Sequence, residues 1–304
     1  MNKVTIKKNL IKKINDFLKK SKSLKYLDPS IFENIDKYKK IKDIDFNNYY
    51  LECIKKIPKL DTNSAIKISR EVYKLYGKEK DFDRILKQLI DDHNIFPGSF
   101  NESDFNCIIK ASESRIFLSG TYNDVVVLCH EIGHKLIYNN SKNTDYVMDN
   151  ILFEVPSTIF EFAATDYLKD YYNIDINTYE LRKEHVLSMS KDTNLESDAF
   201  SIITRLMKER KLNILNLYKE IANNKKIVEF LNAPSNYIED YVDNGISNYY
   251  YDIGYILASY TINSDNKIEL LNMFLKYKDD GINAPFTIDE KIIKEAFGSK
   301  KHTR

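Results

Sequence analysis

Helix-breaking residues are scarce in this 304-residue chain, which contains 8 glycines and 6 prolines. Because these two residues mark most turns and loops, the sequence encodes few interruptions between regular elements. Apolar residues make up 43% of the chain and aromatic residues 12%, so a large core can form and a disordered chain is excluded. The composition predicts a mainly α-helical fold.

Apolar residues recur at helical spacing along most of the chain, beginning with a stripe over residues 6–18. Asp61 and Asp81 are residues of the type that begins a helix by accepting hydrogen bonds from its first turn. Beyond the first stripe, the spacing predicts helices over approximately 45–57, 64–77, 81–92, 123–139, 146–171, 193–209, 212–223 and 246–262, and a helical tail ending near residue 297.

Two short runs rich in β-forming residues, 106–111 and 115–119, flank three residues of turn type and predict a small β-hairpin. The simplest organisation is one helical fold with this sheet inserted. A helical N-terminal region is expected over 1–100, and the region 101–304 carries the candidate site described below.

Charge is balanced overall at +1, but residues 1–80 contain 21 Lys and Arg against 10 Asp and Glu. These lysines are interpreted as solvated helix faces, with docking of an acidic partner as the alternative. No nucleic acid partner is expected. The cysteines Cys53, Cys107 and Cys129 are an odd, widely spaced set, which argues for a reducing compartment. Without a recognisable secretory signal or membrane span, a cytoplasmic location is expected.

The string His-Glu-Ile-Gly-His occupies residues 130–134, directly after an apolar run in a predicted helix. Residues four apart lie roughly 40° apart around an α-helix, so the imidazoles of His130 and His134 project from one face and can share a Zn²⁺ ion. Glu131 then lies beside the water that the metal activates. The alternative is a pair of core histidines with satisfied hydrogen bonds.

A catalytic zinc needs a third protein ligand and one position left for water. The metzincin pattern does not supply it, because Ile137 and Asn140 stand at its glycine and third-histidine positions. If the next helix returns antiparallel, Asp149 and Glu154 both lie level with the histidines, whereas Glu161 lies about 10 Å further along. Helix geometry therefore disfavours Glu161 and leaves Asp149 and Glu154 open.

The histidine string and the later string Phe-Glu-Val-Pro-Ser-Thr-x-x-Glu, which begins at Phe153, together resemble the thimet oligopeptidase and oligoendopeptidase F family of zinc peptidases. The resemblance implies a zincin-like catalytic domain of the gluzincin type, with a small sheet beside the zinc-binding helix. It also implies one zinc ion per chain, held by His130, His134 and Glu154, with Glu161 in a supporting position. Members of the family are usually much longer on the N-terminal side.

The same family places tyrosines of a late helix over the metal, where a phenol can stabilise the developing oxyanion. The segment 249–258 resembles that part of the family, with Tyr251 at the implied position and Tyr250 and Tyr255 as the other candidates. The histidine that usually precedes this segment is missing here.

Other residues are interpreted structurally. His93 and His185 are expected at the surface, and Cys129 is expected to be a small buried apolar group. The strand over 115–119 is different, because in this class of peptidase a strand edge beside the zinc helix pairs with the extended substrate backbone.

The resemblance implies a zinc-dependent peptidase that acts on oligopeptides. Glu131 would take a proton from the attacking water and pass it to the leaving amine, while the metal polarises the scissile carbonyl. One alternative is a dedicated protease, such as an exported effector or toxin, that docks one protein partner through its basic first 80 residues. Another is a non-catalytic helical interaction module with a vestigial zinc site, although the intact Glu131 argues against it.

Overall fold

A computed structural model of the chain describes residues 3–25, 27–40, 46–97, 116–139, 146–188, 194–231, 238–280 and 288–297. These residues are mainly α-helical, which confirms the main feature of the predicted fold class. The helices are α1 (Lys3–Lys20), α2 (Ser30–Tyr38), α3 (Phe46–Ile54), α4 (Thr62–Lys74), α5 (Glu79–Asp91), α6 (Asn123–Asn139), α7 (Tyr146–Tyr172), α8 (Thr178–Ser188), α9 (Asn194–Lys208), α10 (Ile214–Asn223), α11 (Lys225–Leu231), α12 (Ile238–Ile262), α13 (Lys267–Asp280) and α14 (Glu290–Phe297). None of these helices combines the length and the apolar stretch that crossing a membrane requires.

The helix bounds follow the sequence pattern most closely in the middle of the chain, where α6 and α7 agree with prediction to within one residue. Asp61 caps α4 as predicted, because its Oδ1 accepts the backbone N–H of Ser64 at 3.0 Å. The cap predicted at Asp81 is wrong, since α5 begins earlier, at Glu79, and Asp81 lies in its first turn. The helices α2, α8 and α11 were not predicted.

The described part of the chain contains one pair of strands, β1 (Ile95–Pro97) and β2 (Ile116–Leu118). They run parallel, with Ile95 opposite Ile116, and β2 packs against α6. β2 corresponds to the second predicted strand, but its partner comes from a segment that the pattern did not assign to a strand. The first predicted strand, 106–111, lies outside the described residues. β2 therefore lies beside α6 as expected, in a parallel pair.

α7 is the central helix of the fold. Between Ile151 and Thr165 its side chains are buried on every face, apart from the half-buried Phe153. A helix that is buried on every face must be surrounded by other elements, and α4, α6, α12 and α13 all pack against it. Phe160 of α7 stacks on Tyr73 of α4 with ring centroids 3.9 Å apart. Side chains of α7 therefore meet groups from several distant parts of the sequence.

A buried ion pair ties α2 to α12. Lys39, the residue after α2, donates from Nζ to both carboxylate oxygens of Asp252 at 2.8 and 3.1 Å, and both side chains are fully buried. The hydroxyl of Tyr249 also donates to Asp36 of α2 at 2.8 Å. These contacts hold α12 against α2. The predicted boundary after residue 100 lies outside the described residues and stays a prediction.

α6 and α7 approach each other closely at one glycine. A Cβ atom on Gly133 would lie 2.6 Å from Cα of Ser157 and 3.1 Å from its backbone nitrogen, which is closer than real side-chain contacts allow. Only a residue without a Cβ lets two helix backbones approach in this way. The contact at Gly133 therefore sets the register of α6 on α7.

Gly133→Ala should destabilise the fold, although alanine is the better helix former by about 1 kcal/mol. The added methyl group must push α6 away from α7, and overpacking of this kind costs about 1–3 kcal/mol. Urea unfolding followed by circular dichroism measures the free energy of unfolding. Ser201→Ala, on the exposed side of α9, is the control and should not lower it. A Gly133→Ala protein as stable as the wild type would contradict this account of the register.

Candidate metal centre

Three potential metal ligands converge between α6 and α7. His130 and His134 lie one turn apart on α6, and their Nε2 atoms are 2.9 Å apart. Oε1 of Glu154 on α7 lies 4.0 Å from Nε2 of His134, and the ligand atoms of all three residues lie within 4.8 Å of one another. The side chains of His130, His134 and Glu154 are only 12%, 6% and 9% exposed.

Hydrogen bonds on the far side of each imidazole fix which nitrogen faces the centre. Nδ1 of His134 lies 2.9 Å from the carbonyl oxygen of Phe153, which can only accept, so Nδ1 carries the proton. Nδ1 of His130 lies 2.7 Å from Oε2 of Glu161 and donates to that carboxylate in the same way. In the neutral form of each ring the lone pair therefore lies on Nε2, and the two Nε2 atoms face each other. An Nδ1–H that donates to a carbonyl or carboxylate, with Nε2 left for the ion, is typical of metal-binding histidines.

The donor set and its spacing suit zinc. Two imidazoles and one carboxylate form a known ligand set of catalytic zinc, with Zn–N distances of about 2.0–2.1 Å. Tetrahedral geometry at these distances places two nitrogens roughly 3.3 Å apart, so the histidines need to open by only about 0.4 Å. Glu154 needs to approach His134 by about 0.6 Å to reach a similar separation. The residues present therefore fit a zinc ion.

Glu154 is held against the histidines by α12. A Cβ atom on Gly254 would lie 2.5 Å from Cβ of Glu154, so α12 passes directly over this ligand because residue 254 has no side chain. The hydroxyl of Ser157 donates to the carbonyl oxygen of Glu154 at 2.9 Å, in the turn where Pro156 has no N–H.

Asp149, the alternative third ligand, belongs to α7, but its side chain lies outside the described residues.

The observed register brings Glu161 closer to the histidines than a symmetric helical hairpin predicts. The contact of Gly133 with Ser157 places residue 161 level with residue 129, and Oε2 of Glu161 lies 2.7 Å from Nδ1 of His130. The expectation that Glu161 lies about 10 Å beyond the site is therefore wrong. Its place behind a histidine agrees with the supporting position that the family resemblance implies.

Glu161 is bound in turn by an arginine of α8 that the sequence pattern did not single out. Nε of Arg182 donates to Oε1 of Glu161 at 3.2 Å, and Nη2 donates to Oε2. Burial alone would raise the pKa of Glu161, but the charge of Arg182 and the hydrogen bond from His130 lower it to about 2. The sequence gives one signal for Arg182, which is its residue type. Seven of the 46 basic residues are arginines, and the planar guanidinium group can bind both oxygens of one carboxylate.

Burial and neighbouring charges shift the pKa values of the three ligands in different directions. Burial, followed by the charge of His130, holds the pKa of His134 well below its usual value. Burial and the charge of Arg182 lower the pKa of His130, but the hydrogen bond and charge of Glu161 outweigh them and raise it. Burial raises the pKa of Glu154 against the opposing charges of His130 and Arg182. An anionic ligand in this place needs a compensating cation.

The start of α6 is fixed by Asp124, whose buried carboxylate accepts the backbone N–H groups of Ser119 at 2.7 Å and Gly120 at 2.8 Å. These bonds join the end of β2 to the helix that carries the histidines. Further along the same helix, Glu131 directly follows His130 and is half-buried. Its charge contributes to the pKa values of His130 and Glu154 after the larger effects of burial and of the other neighbouring charges. The Glu131 carboxylate therefore lies near the ligand group.

The three candidate tyrosines of α12 have different surroundings. Tyr250 is buried in the core. The hydroxyl of Tyr255 donates to a backbone carbonyl of α14 at 3.1 Å. Tyr251 is half-buried, and its ring meets the ring of His185 edge-on at a centroid distance of 5.7 Å. Of the three, Tyr251 contacts α8, the helix that carries Arg182.

His185 was expected at the surface, but it is half-buried on α8 and packs against Tyr251. Burial, followed by the charge of Arg182, lowers the pKa of His185 to about 3. The two α8 residues are three apart and so share one face of the helix. The other two structural expectations are confirmed, since His93 is exposed and Cys129 is fully buried.

No family model, no curated protein and no solved structure matches this chain. The assignment of the site therefore stands on the geometry of the chain's own residues. They form a helical protein with a buried triad, His130, His134 and Glu154, that is consistent with a zincin site built from an H-E-x-x-H string and a downstream glutamate.

We expect the purified protein to hold about one zinc ion per chain, measured by elemental analysis. A ligand that binds only the folded state stabilises it, by about 4 kcal/mol at a concentration 1,000 times its dissociation constant, so adding zinc to chelator-treated protein should raise the melting temperature. His134→Ala should abolish both effects, and His93→Ala at an exposed histidine should retain them. Negligible zinc after purification without chelator, together with no thermal shift, would contradict the site.

Proposed function

We propose that this protein is a zinc-dependent peptidase of the gluzincin type. The observation that carries the proposal is the convergence of His130, His134 and Glu154, with each imidazole held by its Nδ1 atom so that the two Nε2 atoms face one point. The resemblance of two sequence strings to thimet oligopeptidase and oligoendopeptidase F supports it. These three residues would hold the zinc ion, which when bound polarises a peptide carbonyl and lowers the pKa of water.

The general base of the proposed reaction is Glu131. It follows His130 on α6, and its charge acts on both His130 and Glu154. Its carboxylate removes a proton from the attacking water as the water oxygen bonds to the carbonyl carbon. It then delivers this proton to the nitrogen as the C–N bond breaks, so the amine leaves neutral.

The oxyanion donor of the proposed reaction is Tyr251. Its half-buried ring lies against His185, three residues from Arg182 on α8. Residue 251 is also three residues before Gly254, which lies against Glu154, so the two share one face of α12. The hydroxyl of Tyr255 is engaged by the backbone of α14, and Tyr250 lies in the core. A phenol donates a hydrogen bond without carrying a charge, which suits it to stabilise a developing oxyanion.

A catalytic role suits the number of donors at the centre. Closed structural zinc sites use four protein ligands, whereas catalytic sites use three and keep one position open. Within the described residues the group contains three. A glutamate directly after the first histidine also has a use in catalysis and none in a purely structural site. Both features favour an enzyme over a helical interaction module.

The proposed substrates are oligopeptides, following the family resemblance. A dedicated protease of one protein partner is the second candidate, and it is favoured by the charge of α1. The side chains on the outer face of this helix are mostly basic, and an acidic partner could dock there. Among the side chains of α1 that the structure describes, the exposed lysines are Lys7, Lys8, Lys12, Lys19 and Lys20.

Glu131→Gln should keep the zinc content of the wild type and lose peptide hydrolysis, because the amide preserves the shape but cannot take the proton. General acid–base catalysis contributes about 10²–10⁴-fold, and kcat/KM should fall by at least the lower figure. Elemental analysis measures the metal, and mass spectrometry of a digested library of short peptides measures hydrolysis. Glu229→Gln on the exposed side of α11 is the control. Wild-type hydrolysis by the Glu131 variant would defeat the assigned mechanism.

The same library separates the two substrate classes. Cleavage of many unrelated short peptides by the wild type supports an oligopeptidase. A zinc-loaded wild type that cleaves no short peptide but does cleave one protein would replace this proposal with the dedicated protease.

Tyr251→Phe should lower kcat by about 10²–10³-fold, as loss of one oxyanion donor does in other peptidases, with little change in KM. Tyr260→Phe is the matched control, because it removes a hydroxyl from the exposed side of the same helix. Steady-state kinetics on one library-derived peptide measures both variants. A large fall in kcat for Tyr255→Phe, with none for Tyr251→Phe, would move the role to residue 255.

A further inference from the structure

Arg182 lies behind the ligand group, on the side away from the Nε2 atoms, with only 14% of its side chain exposed. Its guanidinium forks the carboxylate of Glu161, and Oε2 of that carboxylate also accepts from Nδ1 of His130 at 2.7 Å. Nη2 of Arg182 lies 3.1 Å from the same Nδ1 atom. Two donors from different helices therefore converge on one oxygen of Glu161.

From this geometry we infer that Arg182 is a positioning residue for the zinc ligand His130 and acts through Glu161. The inference rests on the proposed metal site. It assigns to α8, a helix remote from the ligand strings, a part in holding the metal. Arg182 of α8 contacts Glu161 of α7, and Glu161 contacts His130 of α6, whose Nε2 atom faces Nε2 of His134.

The fork fixes the plane of the Glu161 carboxylate. A glutamate side chain has three rotatable bonds, so its hydrogen bond to Nδ1 of His130 does not by itself fix the direction of the imidazole. With two parallel N–H groups of Arg182 on its two oxygens, the carboxylate is held in one orientation. Oε2 then stays aimed at Nδ1, and Nε2 of His130 stays aimed at Nε2 of His134.

Lysine at residue 182 would not hold the Glu161 carboxylate in one orientation. An ammonium group is a point charge on a flexible stem, whereas guanidinium presents its donors in one plane. Arg182→Lys therefore keeps the positive charge beside Glu161 but loses the fork. If charge alone mattered, this variant would behave as the wild type, so it separates a positioning role from a purely electrostatic one.

The chain offers a matched control on α4. Arg70 forks Asp83 through Nε and Nη2 at 2.8 and 2.9 Å, in the same arrangement, but this pair is about half exposed and is not in contact with the metal ligands. Arg70→Lys makes the identical chemical change. A change in zinc affinity that occurs with Arg182→Lys and not with Arg70→Lys would therefore come from the metal site and not from the loss of an arginine fork in general.

The experiment measures the zinc affinity of the 304-residue chain by competition with a chromophoric chelator, with circular dichroism as a check on folding. Arg182→Lys should bind zinc about 10–100-fold more weakly than the wild type, as loss of supporting contacts to a metal-binding histidine does. Arg70→Lys should match the wild type. The visible spectrum of the Co²⁺-substituted protein should also shift in Arg182→Lys, because it reports the coordination geometry and not the stability of the fold.

A second variant covers the case in which Arg182→Lys does not fold. The double variant Glu161→Gln with Arg182→Met removes both members of the buried ion pair, so neither is left as an unpaired charge, and it should fold. It too should bind zinc about 10–100-fold more weakly. Wild-type affinity in whichever of these variants folds would overturn the role of Arg182. A wild type that binds no zinc would overturn the metal site itself, and the role of Arg182 with it.

Discussion

The close approach of α6 and α7 at Gly133 is the constraint on which the site depends. A side chain at residue 133 would meet the backbone of α7 at 2.6 Å, so the glycine determines both the separation and the register of the two helices. That register brings Glu154 to one side of the histidine pair and Glu161 to the other. Gly254 has the same effect on α12, which lies against Glu154 with no side chain between them. The ligand geometry is therefore a property of backbone packing.

This packing buries several charged groups, which a fold tolerates only when they are paired. Lys39 and Asp252 pair with each other and hold α12 against α2. Arg182 and Glu161 also pair, but their contact extends to a metal ligand. Removing one partner of either pair leaves a buried charge, at a cost of about 3–5 kcal/mol. The two pairs differ in purpose, since the first anchors a helix and the second orients an imidazole.

The sequence predicts those features of the site that depend on local pattern. The histidine string lies in one helix, so its spacing is enough to place both imidazoles on one face. The positions of Glu154 and Glu161 relative to that face depend on the register between α6 and α7. A symmetric hairpin misplaces Glu161 because the contact at Gly133 sets a different register. Arg182 was missed for another reason. α8 is buried on more than one side, so its apolar residues do not recur at helical spacing.

The formal charge around the histidine pair bears on the kind of ion that the proposed metal site would hold. The carboxylates of Glu131, Glu154 and Glu161 and the guanidinium of Arg182 all act on this buried cluster. With the carboxylates ionised and the imidazoles neutral, as metal binding requires, three anions and one cation give a formal charge of −2. A divalent cation where the Nε2 atoms face each other brings that charge to zero. A monovalent cation would leave one negative charge buried, which is costly. Donor type and charge balance thus both favour a divalent ion at the proposed site, and the balance includes the positive charge of Arg182.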